Sequence, residues 1–428
     1  MTVKKDELDE EFFYDFRETR KWYKIFAGSS MSKQMKPTIF LEIYRIFAFL
    51  FLIMMTFMFL FTALLTTEYL AEFSEAFHYF CILLTMAIYI PVERLAKNDI
   101  DKSFLKLKKC FYLYNGELNN TQKKIKRQTI EYIKFTDRVF FWMLIFVCVL
   151  YSILTPLKDY FYPHLRLERS EIIDRKLPIP FYIPFEDSYG ITFIIVFLME
   201  CCCNMMVHSL ITSIHEAYIS LTGQIYGEMK LINYSLSHIE ERAIKLYLSK
   251  QQKRVHRLKC IYRLPAFQKC FKKCLKEDMI HHQTLLSSIK LVRPFTGRII
   301  ISVFTLCSIV WAVDVYVISK MIEQASAMDK VLEFLLMLFT EAVYVFDMCH
   351  FNEKIRSEND ELFMQIYSTP WYNYDRKLGQ NVHLMLMNTI KPTKLNSNLF
   401  NVSASFETLM PIISATFSYF NVLRKLKN

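Results

Sequence analysis

The chain has 428 residues, 53% hydrophobic, 16% aromatic and 22% charged, with 7 Gly and a formal net charge of +11. These totals exclude a disordered or collagen-like chain. An apolar fraction near the soluble average leaves the choice between a soluble and a membrane protein to where the apolar residues lie.

They lie in blocks. Residues 1–38 mix acids (Asp6, Glu7, Asp9, Glu10, Glu11) with bases (Arg17, Arg20, Lys21, Lys24) and show no short apolar stretch before a small-residue cleavage site. The first apolar block is therefore expected to act as its own insertion signal. That block, Ile39–Leu65, carries only Glu42 and Arg45 as charges. Its run Phe49-Leu50-Phe51-Leu52-Ile53-Met54-Met55 is apolar all round, unlike an amphipathic soluble helix. Further blocks cover 76–92, 139–157, 191–221, 299–318, 331–349 and 399–423. Each approaches or exceeds the roughly 20 residues that span about 30 Å of hydrocarbon. The fold expected is an all-α membrane protein with seven transmembrane helices.

Seven crossings place residues 1–38, 93–135, 222–295 and 350–390 on one side, with 38 Lys plus Arg. Residues 67–75, 158–190, 319–330 and 424–428 fall on the other, with 10. The positive-inside rule then predicts a cytosolic N-terminus and an extracellular C-terminus. The +11 charge reads as topology plus attraction to anionic lipid, and its spread over four loops argues against a nucleic-acid partner. None of the eleven Cys falls in a predicted outer loop, so thiols are expected and no disulfide framework. The segments 222–295 and 350–390 read as helical extensions of spans four to seven that form a subunit-joining base, the first broken at Leu264-Pro265-Ala266-Phe267.

A G-protein-coupled receptor also has seven spans, but with its N-terminus outside. Its usual Asp-Arg-Tyr and Asn-Pro-x-x-Tyr steps are absent, and Asp137-Arg138-Val139 echoes the first at the start of the third span instead of its end. The last 80 residues carry a different series. They contain Cys349-His350-Phe351-Asn352-Glu353, Ser357-Glu358, Ile366-Tyr367-Ser368-Thr369-Pro370-Trp371, Leu384-Met385, Lys391-Pro392, Phe406-Glu407-Thr408-Leu409 and Ser418-Tyr419-Phe420-Asn421-Val422-Leu423-Arg424. This order resembles the C-terminal half of the insect odorant receptors. Leu177-Pro178-Ile179-Pro180-Phe181-Tyr182-Ile183-Pro184-Phe185 resembles the family's lead into the fourth helix, and Leu275-Lys276-Glu277-Asp278-Met279-Ile280-His281-His282-Gln283 the stretch before the fifth. The chain departs from the family pattern at Asn352, where Gly is frequent, and at His208, where Asp is frequent. It lacks the long insertion between helices four and five that marks the family's co-receptor, so it resembles an odorant-tuning subunit.

The resemblance implies a ligand-gated, non-selective cation channel in the plasma membrane of a sensory neuron dendrite; the alternatives are a gustatory-type receptor channel of the same architecture, whose usual Thr-Tyr…Gln-Phe signature is not matched by Phe417-Ser418-Tyr419-Phe420, and a metabotropic seven-helix receptor. The partners it implies are a small volatile odorant and an odorant receptor co-receptor in a heterotetramer, with no cofactor. The organisation it implies is a cytosolic segment at 1–38, helices one to six over 39–349 with long cytosolic loops at 93–135 and 222–295, a cytosolic helical linker and anchor at 350–390, and a pore-lining seventh helix with a short outer tail at 391–428. The odorant site would lie in the outer halves of helices two, three, four and six, lined by Phe80, Leu84, Phe146, Tyr151, Phe197, Cys201, Phe339, Val343 and Tyr344. The pore and gate would use Ser418, Asn421 and Val422, and the subunit anchor Tyr367 and Trp371. From the residues themselves, the seventh block holds Ser403, Ser405, Glu407, Thr408, Ser414, Thr416 and Ser418, too polar for a lipid-facing helix. The same small hydroxyls also suit helix–helix contact.

Other motifs are weak. Cys260, Cys270 and Cys274 with His281 and His282 lack a Cys-x-x-Cys knuckle, so no metal site is expected. Gly223-x-x-x-Gly227 lies among Gln224, Tyr226 and Glu228 and reads as packing outside the membrane. Asn119-Asn120-Thr121, Asn233-Tyr234-Ser235 and Asn401-Val402-Ser403 match glycosylation sequons, the first two on the cytosolic side and the third placed in a helix. In the fourth span, Glu200 is the favoured buried polar group, and His215 and Glu216 read as ordinary residues of the base. No phosphate loop or nucleophile motif appears, so an enzyme is not expected.

Overall fold

The computed structural model describes residues 39–96, 102, 114, 118–150, 153, 161, 179, 181–183, 190–251, 261, 264–323, 328–374, 376–390, 395–396 and 402–426. Among these the chain is almost entirely helical. We number the helices α1 (Ile39–Leu65), α2 (Leu70–Leu95), α3 (Asn120–Val149), α4 (Gly190–Ser237), α5 (Ile239–Gln251), α6 (Pro265–Glu323), α7 (Met328–Ser368), α8 (Arg376–Ile390) and α9 (Phe406–Leu426), with a 3-10 turn at Trp371–Asn373. An isolated bridge between Asn396 and Ser403 is the one extended pairing among the described residues. Ser403 therefore precedes the last helix, whereas its sequon was expected inside it.

The seven apolar blocks fall on seven different helices, α1, α2, α3, α4, α6, α7 and α9. Four of these, α1, α2, α4 and α6, are long and apolar enough to cross a membrane by length and composition alone. The other three carry more charge or polarity. α3 opens with Lys123, Lys124, Lys126, Arg127, Glu131 and Lys134, α7 holds Glu333, Glu341 and Asp347, and α9 holds Glu407 and a series of hydroxyls.

α4, α6 and α7 have 48, 59 and 41 residues. At about 1.5 Å per residue each is at least twice as long as the hydrocarbon is thick. They continue past their apolar segments into a base, where α5 and α8 join them. In the bundle α4 packs on α3, α6 and α7, α1 rests on α2, and α9 lies on α6 and α7. One large core runs from Phe140 and Ile299 in the bundle to Phe271, Leu362 and Val382 in the base. A second core seals α1 and α2 to the first turns of α4 through Ile179, Phe181 and Ile183. That segment is also tied by polar contacts: Tyr182 N–H donates to Thr62 Oγ1 at 2.8 Å and Ile179 N–H to Glu200 Oε2 at 3.4 Å.

Local devices fix the ends and crossings. Asn119 caps α3 in a capping box, accepting from Gln122 N–H at 2.7 Å while its own N–H donates to Gln122 Oε1 at 3.0 Å. Gly223 and Gly227 let α4 press on α3. A Cβ at Gly223 would stand 2.5 Å from Ile133 Cγ1, and one at Gly227 2.9 Å from Thr129 Cγ2. Ile133 is fully buried and has nowhere to move. Gly223→Ala is therefore expected to cost about 1–3 kcal/mol by overpacking. The check is the melting temperature of the detergent-solubilised protein, which should fall; an unchanged value would show that the helices separate without penalty.

The base is held by buried charge. Glu228 of α4 meets Lys126 of α3 at 3.3 Å and His281 of α6 at 2.8 Å, and the His281 ring also meets the Tyr114 hydroxyl at 2.5 Å. Lys126 and His281 together hold the Glu228 carboxyl below its ordinary range, against the effect of burial. These contacts use His281 as a structural partner, and no metal-binding group occurs among the described residues. Arg242 of α5 donates to the Ser235 hydroxyl, to both oxygens of Asp278 at 3.0 Å and to Glu277 at 3.1 Å. Asp278 is fully buried, and burial pushes its carboxyl up to about 6 against the pull of Arg242. On Arg242 burial works downward, but the Asp278 carboxylate outweighs it and the guanidinium is held charged.

Candidate functional site

Five helices, α2, α3, α4, α6 and α7, close around a cavity of about 170 Å³. Its walls are almost wholly apolar: Ile82, Met86 and Tyr89 from α2, Phe140, Leu144 and Val147 from α3, Val207, Ile211 and Ile214 from α4, Ile299, Val303 and Leu306 from α6, and Met337 and Tyr344 from α7. Thr85 and Thr340 also reach the wall, but their hydroxyls bond carbonyls one turn back, Cys81 and Leu336, each at 2.8 Å. A concave, mostly apolar chamber with few polar groups suits a small apolar molecule.

One side of the chamber is ionic. His78 of α2 meets Asp314 of α6 at 3.2 Å through Nδ1 and Glu341 of α7 at 3.2 Å through Nε2. Ser74 donates to Asp314 at 3.3 Å, and Trp311 Nε1–H to Glu341 at 2.8 Å. Charges taken from water need partners, and each carboxylate here has two. The network staples three helices beside the cavity. Ionisable residues inside apolar blocks are functional by default, so His78 and Asp314 were readable as site residues from sequence.

Phe140 and Tyr344 line the cavity at its end nearest the base, where both pack on His215, with ring centroids 4.0 and 5.2 Å away. His215 in turn bridges Asp347 of α7 at 3.2 Å and Asp137 of α3 at 3.5 Å. It thus ties three helices together instead of being an ordinary residue of the base. Further along α7, Phe346 packs on Phe406 at 5.5 Å and Arg356 donates to Glu407 at 2.8 Å. α7 therefore touches both the cavity, through Tyr344, and the start of α9, through Phe346 and Arg356.

Of the nine lining residues expected from sequence, Tyr344 is on this cavity wall. Phe80, Phe197 and Val343 are partly buried in the hydrophobic cores, Cys201 is half-buried, and Leu84, Phe146 and Phe339 are exposed on outer helix faces. Tyr151 lies outside the described residues. The wall is built by neighbours on the same helices, such as Tyr79, Val147 and Thr340 (the sixth span being part of α7), and by the fifth span, in α6, which was not expected to contribute. On α9, Leu409 and Thr416 are buried against the bundle, while Glu407, Pro411, Ser414, Ser418, Asn421 and Val422 are exposed. In the base, Tyr367 is exposed and Trp371 half-buried at the α7–α8 turn. Around them Met364, Tyr372, Leu384, Met387 and Ile390 are exposed as well.

Comparison with known proteins gives a single family. The model of the family described as 7tm Odorant receptor matches residues 69–417. The fold is that of the insect olfactory receptor OR5 from Machilis hrabei, with a TM-score of 0.71 and 12% identity over 96% of this chain and 99% of that one. The structure of OR5 in complex with eugenol is similar, with a TM-score of 0.68 and 11% identity over 99% of each chain. No curated protein matches the chain significantly. With a family match over most of its length and the matching fold over nearly all of it, the chain belongs to the seven-transmembrane odorant receptor family.

Proposed function

We propose that the chain is the odorant-tuning subunit of a ligand-gated, non-selective cation channel, and that the five-helix cavity is its odorant site. The carrying observation is the cavity itself, apolar, lined by five helices and sharing α7 with the contacts to the start of α9. Occupancy would act on Phe140 and Tyr344 and, through His215 and Asp347, on α7, whose Phe346 and Arg356 meet the start of α9; a rigid helix shared by both places is a physical route between coupled sites. The eugenol complex of OR5 supports a small aromatic volatile as the ligand class.

One stripe of the exposed surface of α9, beside the exposed Met410, Phe417 and Tyr419, supports a pore role. Glu407, Pro411, Ser414, Ser418 and Asn421 or Val422 recur at alternating steps of four and three, one face of a helix. A polar stripe suits a water-filled lumen shared with other subunits. Val422 at its end is an apolar ring in an oligomer and gates by dewetting. Val422→Ala is expected to raise basal current or alter conductance, read in single-channel records of surface-expressed complexes. Unchanged records would remove Val422 from the gate.

The partner is an odorant receptor co-receptor, joined through the base, where Met364, Tyr367, Trp371, Tyr372, Leu384, Met387 and Ile390 offer apolar surface outside the bundle. The basic loops put the N-terminus and the base in the cytosol and the C-terminus outside, in the plasma membrane of a sensory dendrite. Co-expression with and without the co-receptor tests this. Odorant currents that need the co-receptor and persist under G-protein block support it; currents abolished by the block reject it.

A further inference from the structure

Among the described residues that line the cavity, one carries a buried polar side-chain atom with no hydrogen-bond partner. It is Nε2 of His208, on α4, a residue 9% exposed. The other charged groups of the wall are engaged: both Glu341 oxygens and both His78 nitrogens have partners. The His208 ring lies beside the Phe141 backbone and packs edge-to-face with the Phe141 ring, the centroids 5.6 Å apart. Phe141 lies inside α3, where the amide is already committed to the carbonyl one turn back. With Nε2 unpaired, Nδ1 is the nitrogen placed to carry the ring proton toward the Phe141 carbonyl. In a neutral imidazole this leaves a lone pair on Nε2.

An unsatisfied buried acceptor costs more than a satisfied one gains, so a ligand that supplies a donor is favoured over one that does not. Building on the cavity as the odorant site, we infer that this receptor selects apolar molecules bearing a hydroxyl, and that the ligand O–H donates to His208 Nε2. His208 is then the specificity-determining residue, and the surrounding apolar wall holds the carbon skeleton by area burial. Ethers, esters and ketones of equal size offer acceptors alone and leave the ring nitrogen unpaired, as in a site that rejects an analogue lacking its donor.

The test uses aliphatic alcohols and phenols beside their methyl ethers, applied to the chain expressed with its co-receptor. Hydroxyl compounds are expected to be about tenfold more potent than their ethers, the worth of one buried hydrogen bond. In His208→Phe, which keeps a ring and removes both nitrogens, the ratio should fall to near one. In His208→Gln, which restores a polar atom, part of it should return. A wild-type ratio of one or below, a panel in which active compounds all lack a hydroxyl, or a ratio preserved in His208→Phe overturns the assignment. Failure of the cavity reading looks different. It leaves responses to every compound intact when Val207→Trp fills the chamber, whereas a wrong hydroxyl assignment leaves Val207→Trp inactive and only the ratio unmoved.

Discussion

Val207→Trp is expected to abolish odorant responses while leaving the chain folded and at the cell surface. Val207 is 8% exposed and lines the cavity, so an indole there projects into a space of about 170 Å³. The ligand loses the apolar contact that supplies most of its binding energy. At about 25 cal/mol per Å², excluding on the order of 100 Å² of contact costs about 2.5 kcal/mol, close to a hundredfold in potency. Dose–response curves against surface expression decide the point. Retained potency at normal expression would place the site elsewhere.

The second large effect lies far from the cavity. Arg242→Ala removes the cation that accompanies Asp278, which is fully buried between α5 and α6. Breaking a buried pair from one side costs about 3–5 kcal/mol, a large share of the stability of a typical domain. Loss of monodisperse protein on size exclusion is expected, with partial rescue by adding Asp278→Asn. The pH dependence has a definite sign. The folded Asp278 carboxyl titrates at about 6, above the roughly 3.9 of an unfolded chain. Between these values the folded protein holds a proton that the unfolded chain has lost. Stability therefore falls as pH rises through that window and levels off above it. Without Arg242 the folded value moves higher still, so the variant should regain melting temperature on acidification from neutral pH. A variant as stable as the wild type at neutral pH would show the pair to be dispensable.

The contrast between what the chain reveals as text and as a fold has a physical basis. Blocks such as Ile39–Leu65 are visible because lipid demands apolar residues on every face of a spanning helix. The same uniformity hides rotation. Phe80, Phe146 and Phe339 are each one residue from the wall positions Tyr79, Val147 and Thr340, and one residue turns a helix by about a quarter of a circle. In a soluble helix a polar face would have fixed that angle; here cavity-facing and lipid-facing side chains are alike. Polar exceptions carry the missing signal. His78, Asp314 and Glu341 interrupt their blocks and meet in space, and His208 marks the inward face of α4. The share of α6 in the wall depends on how α2, α4 and α7 pack around it, which no local pattern encodes.

Purified chain and co-receptor reconstituted in vesicles, with no G protein or GTP present, are expected to pass an odorant-evoked cation current across that bilayer, absent from Val207→Trp complexes. Binding of the odorant without any current in the purified complex would contradict the channel reading.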